Sequence, residues 1–359
     1  MYPFRDDKIF VRNAWYVGCA TREIDNGAVL QRVVMDRPVA FYRGESGTVM
    51  AMHGICPHRN YPLALRGRVK GDALQCAYHG FAFDGKSGAC VFVPSQSKPP
   101  ASFRQPIYKV VERGPWIWIW PGDPDLADER RIPSLEETGL GKGWKYLDPI
   151  IFASIKGRYM LLIENLFDLT HVAFLHGNMG DFDAVLKAPL KIKEEAERLT
   201  VVRPMRTSWT QHHEVMIGKA NRFAGASDSA SITSFYGPGY ITTTDHIISW
   251  IEGSEAVDKT VYGDVHYHHA ITPETGNSCH YFGMSSRTHR LDDFEFDAMF
   301  TPFDTEIRDQ DVVAAEAIEA AFRQFGEPRV ELMVKSDTAS GMVRRLMQRL
   351  IDLEHAVVA

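Results

Sequence analysis

The sequence predicts an α+β protein, with a β-rich N-terminal part followed by a part in which strands and helices share the chain. Three observations lead there. Over the first 130 residues or so, short apolar stretches such as Ala14 to Val17, Val39 to Tyr42 and Val91 to Val93 alternate with Gly, Pro, Asp and Ser clusters, the rhythm of short antiparallel strands. Beyond them helical and strand patterns follow one another. The length of 359 residues, at about 100–200 residues per domain, fits two domains, set at 1–130 and 131–359.

The elements follow in order. Between Pro115 and Pro121, Trp116, Trp118 and Trp120 alternate with Ile117 and Ile119, so this strand is covered on both faces. The segment from Pro121 to Glu137, rich in Pro, Asp and Glu, reads as a linker. Arg158 to Leu175 reads as helix, and Arg203 to Trp250 together with Val261 to Thr288 as strands with Gly and Pro turns. One late helix is expected from near Asp311 to Phe325, before Gly326. A second is expected from near Ser336 to Glu354, with Met342, Val343, Leu346, Met347, Leu350 and Ile351 on one stripe.

Composition excludes several classes. Forty Lys and Arg against forty-six Asp and Glu give a net charge of -6, with no basic field to hold a phosphate backbone, so nucleic acid is not an expected partner. No apolar run reaches the roughly 18–20 residues that cross a bilayer, and the N-terminus lacks a basic stretch followed by an apolar one. A cytoplasmic protein without a membrane partner is expected. Five Cys, an odd number at low density, argue against a disulfide framework. Fourteen His beside them direct attention to metal.

Cys56 and His58 share one turn-rich segment, and Cys76 and His79 share another. Together they offer two thiolates and two imidazoles. A zinc site usually pairs like ligands, as Cys-x(2–4)-Cys with His-x(3–5)-His, whereas a Rieske [2Fe–2S] cluster takes one Cys and one His from each of two loops. The mixed order fits the cluster. Cys19, Cys90 and Cys279 have no such neighbours and read as inert thiols.

A second constellation puts Asn165, Asp168, His171 and His176 into a stretch otherwise built of Leu, Phe and Val, where polar groups need partners. Residues i and i+5 lie about 140° apart around a helix. His171 and His176 therefore converge on one ion only where the helix bulges or ends between them. Two His and one carboxylate make the facial triad of non-haem Fe(II) oxygenases. Asp311 is the preferred carboxylate, because at helical spacing it heads a stripe of Ala315, Ile318 and Phe322. An ordinary helix N-cap is the competing reading for it, and Asp304, Asp309 and Glu316 are lesser candidates.

These residues together resemble the oxygenase (alpha) subunit of Rieske non-haem iron oxygenases, over essentially the whole chain. The resemblance implies an N-terminal all-β Rieske domain and a C-terminal catalytic domain whose antiparallel sheet is flanked by helices, of helix-grip type. It implies cluster ligands at Cys56, His58, Cys76 and His79, and iron ligands at His171, His176 and Asp311. Asp168 resembles the acid that links a cluster His of one subunit to an iron His of the next, and Asn165 a residue beside the iron. Ile271 to Thr275 and the sequence His280, Tyr281, Phe282 are similar to the monooxygenase branch of vanillate O-demethylase, dicamba monooxygenase and herbicide N-dealkylases. Where that branch often has an aromatic, this chain has Gly283, a departure expected to enlarge the pocket.

The implied reaction uses O2 on a small aromatic substrate, with NAD(P)H acting only through a partner reductase or ferredoxin, since the chain has no Gly-x-Gly-x-x-Gly turn. Hydroxylation of an O-methyl or N-alkyl carbon, with collapse to an aldehyde and a phenol or amine, is expected; ring hydroxylation is the alternative. A head-to-tail homotrimer with C3 symmetry is implied. His280 and Gly283 are the substrate-side candidates, with a structural His on the sheet as the competing reading for His280; Arg203, Arg206 and Arg222 are read either as partners of an acidic substrate or, preferably, as surface charges. An electron carrier holding only a cluster and a zinc-stabilised binding protein are the rivals from other classes.

Overall fold

The computed structural model describes residues 2–356 apart from 26, 178–181, 220, 221, 224, 251–259 and 329. The chain divides into two compact units, one of Phe10–Ile132 with Thr272–Ser278, the other of Met1–Ile9, Pro133–Ile271 and Cys279–Ala359. No described helix is long and apolar enough to cross a membrane.

The strands described within Phe10–Ile132 are β1 (Tyr16–Ala20), β2 (Val29–Val34), β3 (Arg37–Arg43), β4 (Val49–His53), β5 (Arg68–Lys70), β6 (Ala73–Gln75), β7 (Ala82–Asp84), β8 (Cys90–Phe92), β9 (Ile107–Arg113) and β10 (Trp116–Trp120). They form an antiparallel sheet in the order β1-β10-β9-β4-β3-β2 and a smaller one in the order β5-β6-β7-β8. β10 lies between two neighbours and is buried along its whole length, as its alternating Trp and Ile require. Met50, Met52, Leu63, Leu74, Phe81 and Phe83 pack with Cys56 and Cys76 in one apolar cluster, so the two thiols sit on a rigid base.

The expected linker is ordered. After two single turns, α1 (Leu135–Thr138) is closed by a reciprocal cap between Ser134 and Glu137 and ends at Gly139 in the left-handed region.

The second unit is built on an antiparallel sheet of β11 (Lys145–Tyr146), β12 (Ile150–Ile155), β13 (Lys191–Glu194), β14 (Leu199–Thr207), β15 (Ala226–Gly237), β16 (Tyr240–Trp250), β17 (Thr260–Thr275) and β18 (Ser278–Arg287). Its order is β11-β18-β17-β16-β15-β14-β13, with β12 also on β18. The helices are α2 (Tyr159–Phe167), α3 (Val172–Leu175), α4 (Phe182–Lys187), α5 (Gln211–Ile217), α6 (Phe294–Phe325) and α7 (Thr338–Ala356). α2 packs on α6 and α7. Two ion pairs fix it there: Arg158 with Glu319, both buried, at 2.6 Å, and Glu164 with Arg344 at 2.8 Å.

Three expectations are corrected. The helix read from Arg158 to Leu175 ends at Phe167, because Asp168 turns extended (φ -115, ψ 91) and its side chain caps the following turn at Thr170. The helix read from near Asp311 begins at Phe294, capped by Asp293, and runs through the exposed Pro302. α5 interrupts what reads as strand between Arg203 and Trp250.

Candidate metal centres and pocket

The two Cys/His segments fold as conformational copies. The Cys56 amide donates to the Tyr61 carbonyl and the Asn60 amide to the Cys56 carbonyl; likewise Cys76 donates to Phe81 and Gly80 to Cys76. Asn60 and Gly80, at the same place in each loop, both have positive φ (53 and 74). Each loop thus curls around its own cysteine. Burial, with the Cys76 thiol beside it, pushes the Cys56 thiol up to about 11. The His58 and His79 rings lie 4.7 Å apart, His79 exposed, and the buried His58 Nδ1 has no hydrogen-bond partner among the described residues.

An unpartnered imidazole nitrogen next to two buried thiols fits a metal ligand set. The one-Cys, one-His order of each loop suits a cluster of two irons better than a single zinc.

His171, His176 and Asp311 form the second candidate centre. His171 ends the turn after Asp168, α3 supplies a single helical turn, and His176 closes it (φ -94, ψ 7), so the broken helix lets the two rings converge. Their Nε2 atoms lie 3.5 and 3.4 Å from Asp311 Oδ1. Each Nδ1 is engaged behind: that of His171 donates to the Asp168 carbonyl at 2.6 Å, that of His176 to Gln310 Oε1 at 2.8 Å. Both Nε2 atoms therefore face the carboxylate, the side from which imidazoles bind a metal. Asn165 donates to Asp311 Oδ1 at 2.9 Å and holds it in place. Burial lowers the pKa of His171 against the pull of Asp311; at His176 burial is outweighed by Asp311 and Gln310, which raise it.

This triad lines a cavity of about 210 Å³. The sheet supplies the rest of the wall at alternating positions of four adjacent strands: Arg203, Met205 and Thr207; Ser229 and Ser231; Thr243 and Asp245; Tyr267 and His269. Leu166, Leu169, Val172, Phe303 and Ile307 add apolar surface.

Residues 155–353 match the vanillate O-demethylase oxygenase C-terminal domain, and residues 14–110 match the Rieske [2Fe-2S] domain. The chain belongs to the Rieske non-haem iron oxygenases. It is 33% identical to the oxygenase component of dicamba O-demethylase from Stenotrophomonas maltophilia, over 97% of this chain and 99% of that one. It is 30% identical to the oxygenase component of chloroacetanilide N-alkylformylase from Rhizorhabdus wittichii, over 96% and 97% of the two chains. A crystal structure of dicamba monooxygenase with non-haem iron and dicamba superposes with a TM-score of 0.78 at 30% identity, over 97% of this chain and 99% of that one.

Against this geometry the oxygenase departs from sequence reading at several residues. Asp311 lies well inside α6, so it is not an N-cap. Its inward neighbours are Ala315 and Glu319, while Ile318 is 43% exposed. Asp304 is committed to Arg308, Glu316 accepts from the Lys156 amide, and Asp309 is exposed. His280 is buried on β18, accepts from the Ser154 amide at 3.2 Å, and is not among the lining residues. Gly283 does not line the cavity either. A Cβ there would stand 2.6 Å from Arg308 Cδ, so the missing side chain makes room for Arg308, itself a lining residue, and does not enlarge the pocket. Arg206 and Arg222 are exposed, but Arg203 is buried at 4% exposure and faces the cavity. Gln310 was missed; its one sequence signal is its place beside Asp311.

Proposed function

We propose that the chain is the terminal oxygenase of a multicomponent monooxygenase that removes an O-methyl or N-alkyl group from an aromatic compound as an aldehyde. The observation that carries this reading is the convergence of two neutral-capable imidazoles and one carboxylate at the wall of a mostly apolar cavity. The relatives named as oxygenase components support a separate electron donor, a ferredoxin or reductase that draws on NAD(P)H, and a cytoplasmic location accords with that supply.

Cys56, His58, Cys76 and His79 would hold the [2Fe–2S] cluster, and His171, His176 and Asp311 the mononuclear iron. Bound there, the iron supplies activation of O2, with electrons delivered by way of the cluster. The chain's own residues do the positioning. The Asp168 carbonyl and Gln310 fix the tautomers of His171 and His176, and Asn165 holds Asp311 by its Oδ1. Leu166, Leu169, Val172, Phe303 and Ile307 exclude water around the alkyl group.

The Asp168 carboxylate has a second task in this reading. Its Oδ1 accepts from the Thr170 amide and hydroxyl, and Oδ2 takes no hydrogen bond from any described residue. His79 is exposed, as are Tyr78 beside it at 58% and Phe174 at 79%. A head-to-tail homotrimer in which Asp168 meets His79 of a second copy would use all of these groups.

The test is a screen of aromatic ethers and N-alkyl compounds with a surrogate reductase, scoring aldehyde release and NAD(P)H uptake together. Dealkylation releases one aldehyde per turnover; products that keep every substrate carbon would replace this reading with ring hydroxylation.

A further inference from the structure

Two arginines line the cavity, and they differ in what they are bound to. Arg308 is fully engaged: Nε and Nη2 hold Asp304 at 2.9 and 3.1 Å, and the remaining donors reach Tyr281, His269 and the carbonyls of His268 and Met284. Arg203, on β14, is 4% exposed and pairs with no described carboxylate; Asp168 acts on it only through space. Its Nη2 donates to the Phe167 carbonyl at 2.5 Å, which anchors the guanidinium against the end of α2. Its Nη1 is out of solvent and finds no acceptor among the described residues. A buried charged donor left without a partner is disfavoured, and natural interiors supply one.

A second donor on the wall is set by a chain of hydrogen bonds. Arg308 can only donate, so His269 Nδ1 accepts, from Arg308 Nη1 at 3.1 Å and from the Tyr281 hydroxyl at 2.7 Å. The proton of His269 is therefore on Nε2, which donates to Thr243 Oγ1 at 3.0 Å. Thr243 thus accepts from behind, and its own hydroxyl hydrogen is left for an acceptor in the cavity. The nearby acid of this face, Asp245, is bound to His212 at 3.2 Å.

We infer that the substrate carries an anionic oxygen group, a carboxylate or sulfonate on the ring, and that Arg203 is its charge partner and Thr243 a second donor. Arg203 is then the residue that determines specificity for acids over their neutral isosteres. This rests on the cavity being the oxygenase's substrate site, and it adds the chemical class that the metal centres by themselves do not fix. The charge-assisted bond forms without any help from the iron, so binding can be read apart from turnover.

The probes are 4-methoxybenzoate and the neutral 4-methoxybenzamide, titrated calorimetrically into wild-type protein and into Arg203→Met, Arg203→Lys and Thr243→Val. Wild type should bind the acid at least about tenfold more tightly than the amide. Arg203→Met should weaken the acid about 10–150-fold and leave the amide unchanged, with Arg203→Lys intermediate and Thr243→Val a smaller loss of the acid. Thermal unfolding of each variant shows whether it is folded, and the wild-type acid-to-amide ratio needs no variant.

Equal affinity of wild type for acid and amide overturns the inference. So does an Arg203→Met that weakens both compounds alike, the result expected if Arg203 merely braces α2. Formaldehyde release separates the two readings. Demethylation of the amide in preference to the acid leaves the oxygenase standing and removes the anion site; Arg203-dependent binding of the acid without formaldehyde keeps the anion site and counts against dealkylation.

Discussion

Replacing Gly283 by Ala tests how tightly the pocket wall is built. The added Cβ would lie 2.6 Å from Arg308 Cδ, 2.7 Å from Nε and 2.9 Å from Cζ, about 1 Å inside ordinary contact for each. Arg308 has nowhere to retreat. It is 1% exposed and bonded to Asp304, to the Tyr281 hydroxyl and to the carbonyls of His268 and Met284, at 2.7–3.1 Å. Overpacking of this kind costs about 1–3 kcal/mol. If the guanidinium is driven off Asp304, itself 3% exposed, the loss rises toward the roughly 3–5 kcal/mol of a broken buried pair. Denaturant unfolding should show the single variant destabilised by that amount, and by less than about 0.5 kcal/mol in a background where Asp304 and Arg308 are both Ala. Equal losses in the two backgrounds would refute the claim that Gly283 exists to admit Arg308.

Gln310→Leu removes the acceptor behind His176 and should weaken iron retention about 10–100-fold while the cluster's visible absorption is unchanged; chelator competition measures it. Asp168→Asn should leave both metals bound and collapse turnover with the reductase, and unchanged turnover at intact metal content would remove the electron bridge. Stability should also fall in acid. Burial drives the pKa values of His268 and His269 well below their ordinary 6.5, so below that pH the unfolded chain binds protons there that the folded chain does not. Stability then rises with pH up to about 6.5, by about 1.4 kcal/mol per unit for each His, and levels off above it. Denaturation midpoints between pH 5 and 8 read this directly, and a flat profile over the lower half contradicts it.

Both candidate metal centres were legible in the sequence to the extent that their residues are local. Cys56 with His58, and Cys76 with His79, lie within single loops, so spacing alone pairs them. Asp311 was legible as the carboxylate that joins His171 and His176 but not in its setting: Pro302 signals a break to the eye, and an exposed proline in α6 does not make one here. The pocket was far less visible. Arg203, Ser231 and Asp245 stand in one row because β14, β15 and β16 pair in that register; sequence offers Arg203 as one of three arginines able to meet an acidic substrate, and nothing in its segment sets it apart from the other two. Its neighbour Arg206, three residues on, is exposed on the same strand. Gly283 misled for the same reason, since the side chain that fills its space comes from α6.

The central claim is that one chain holds two separate iron centres on two separate ligand sets, and metal analysis of two variants tests it most directly. Wild-type protein should carry about three irons and two acid-labile sulfides per chain. Cys56→Ser should lose the sulfides and the red-brown colour while the mononuclear iron stays, and His176→Ala should lose about one iron and no sulfide. Colourless protein carrying zinc at the two-loop site, or His176→Ala protein that keeps its full iron content, would contradict the account.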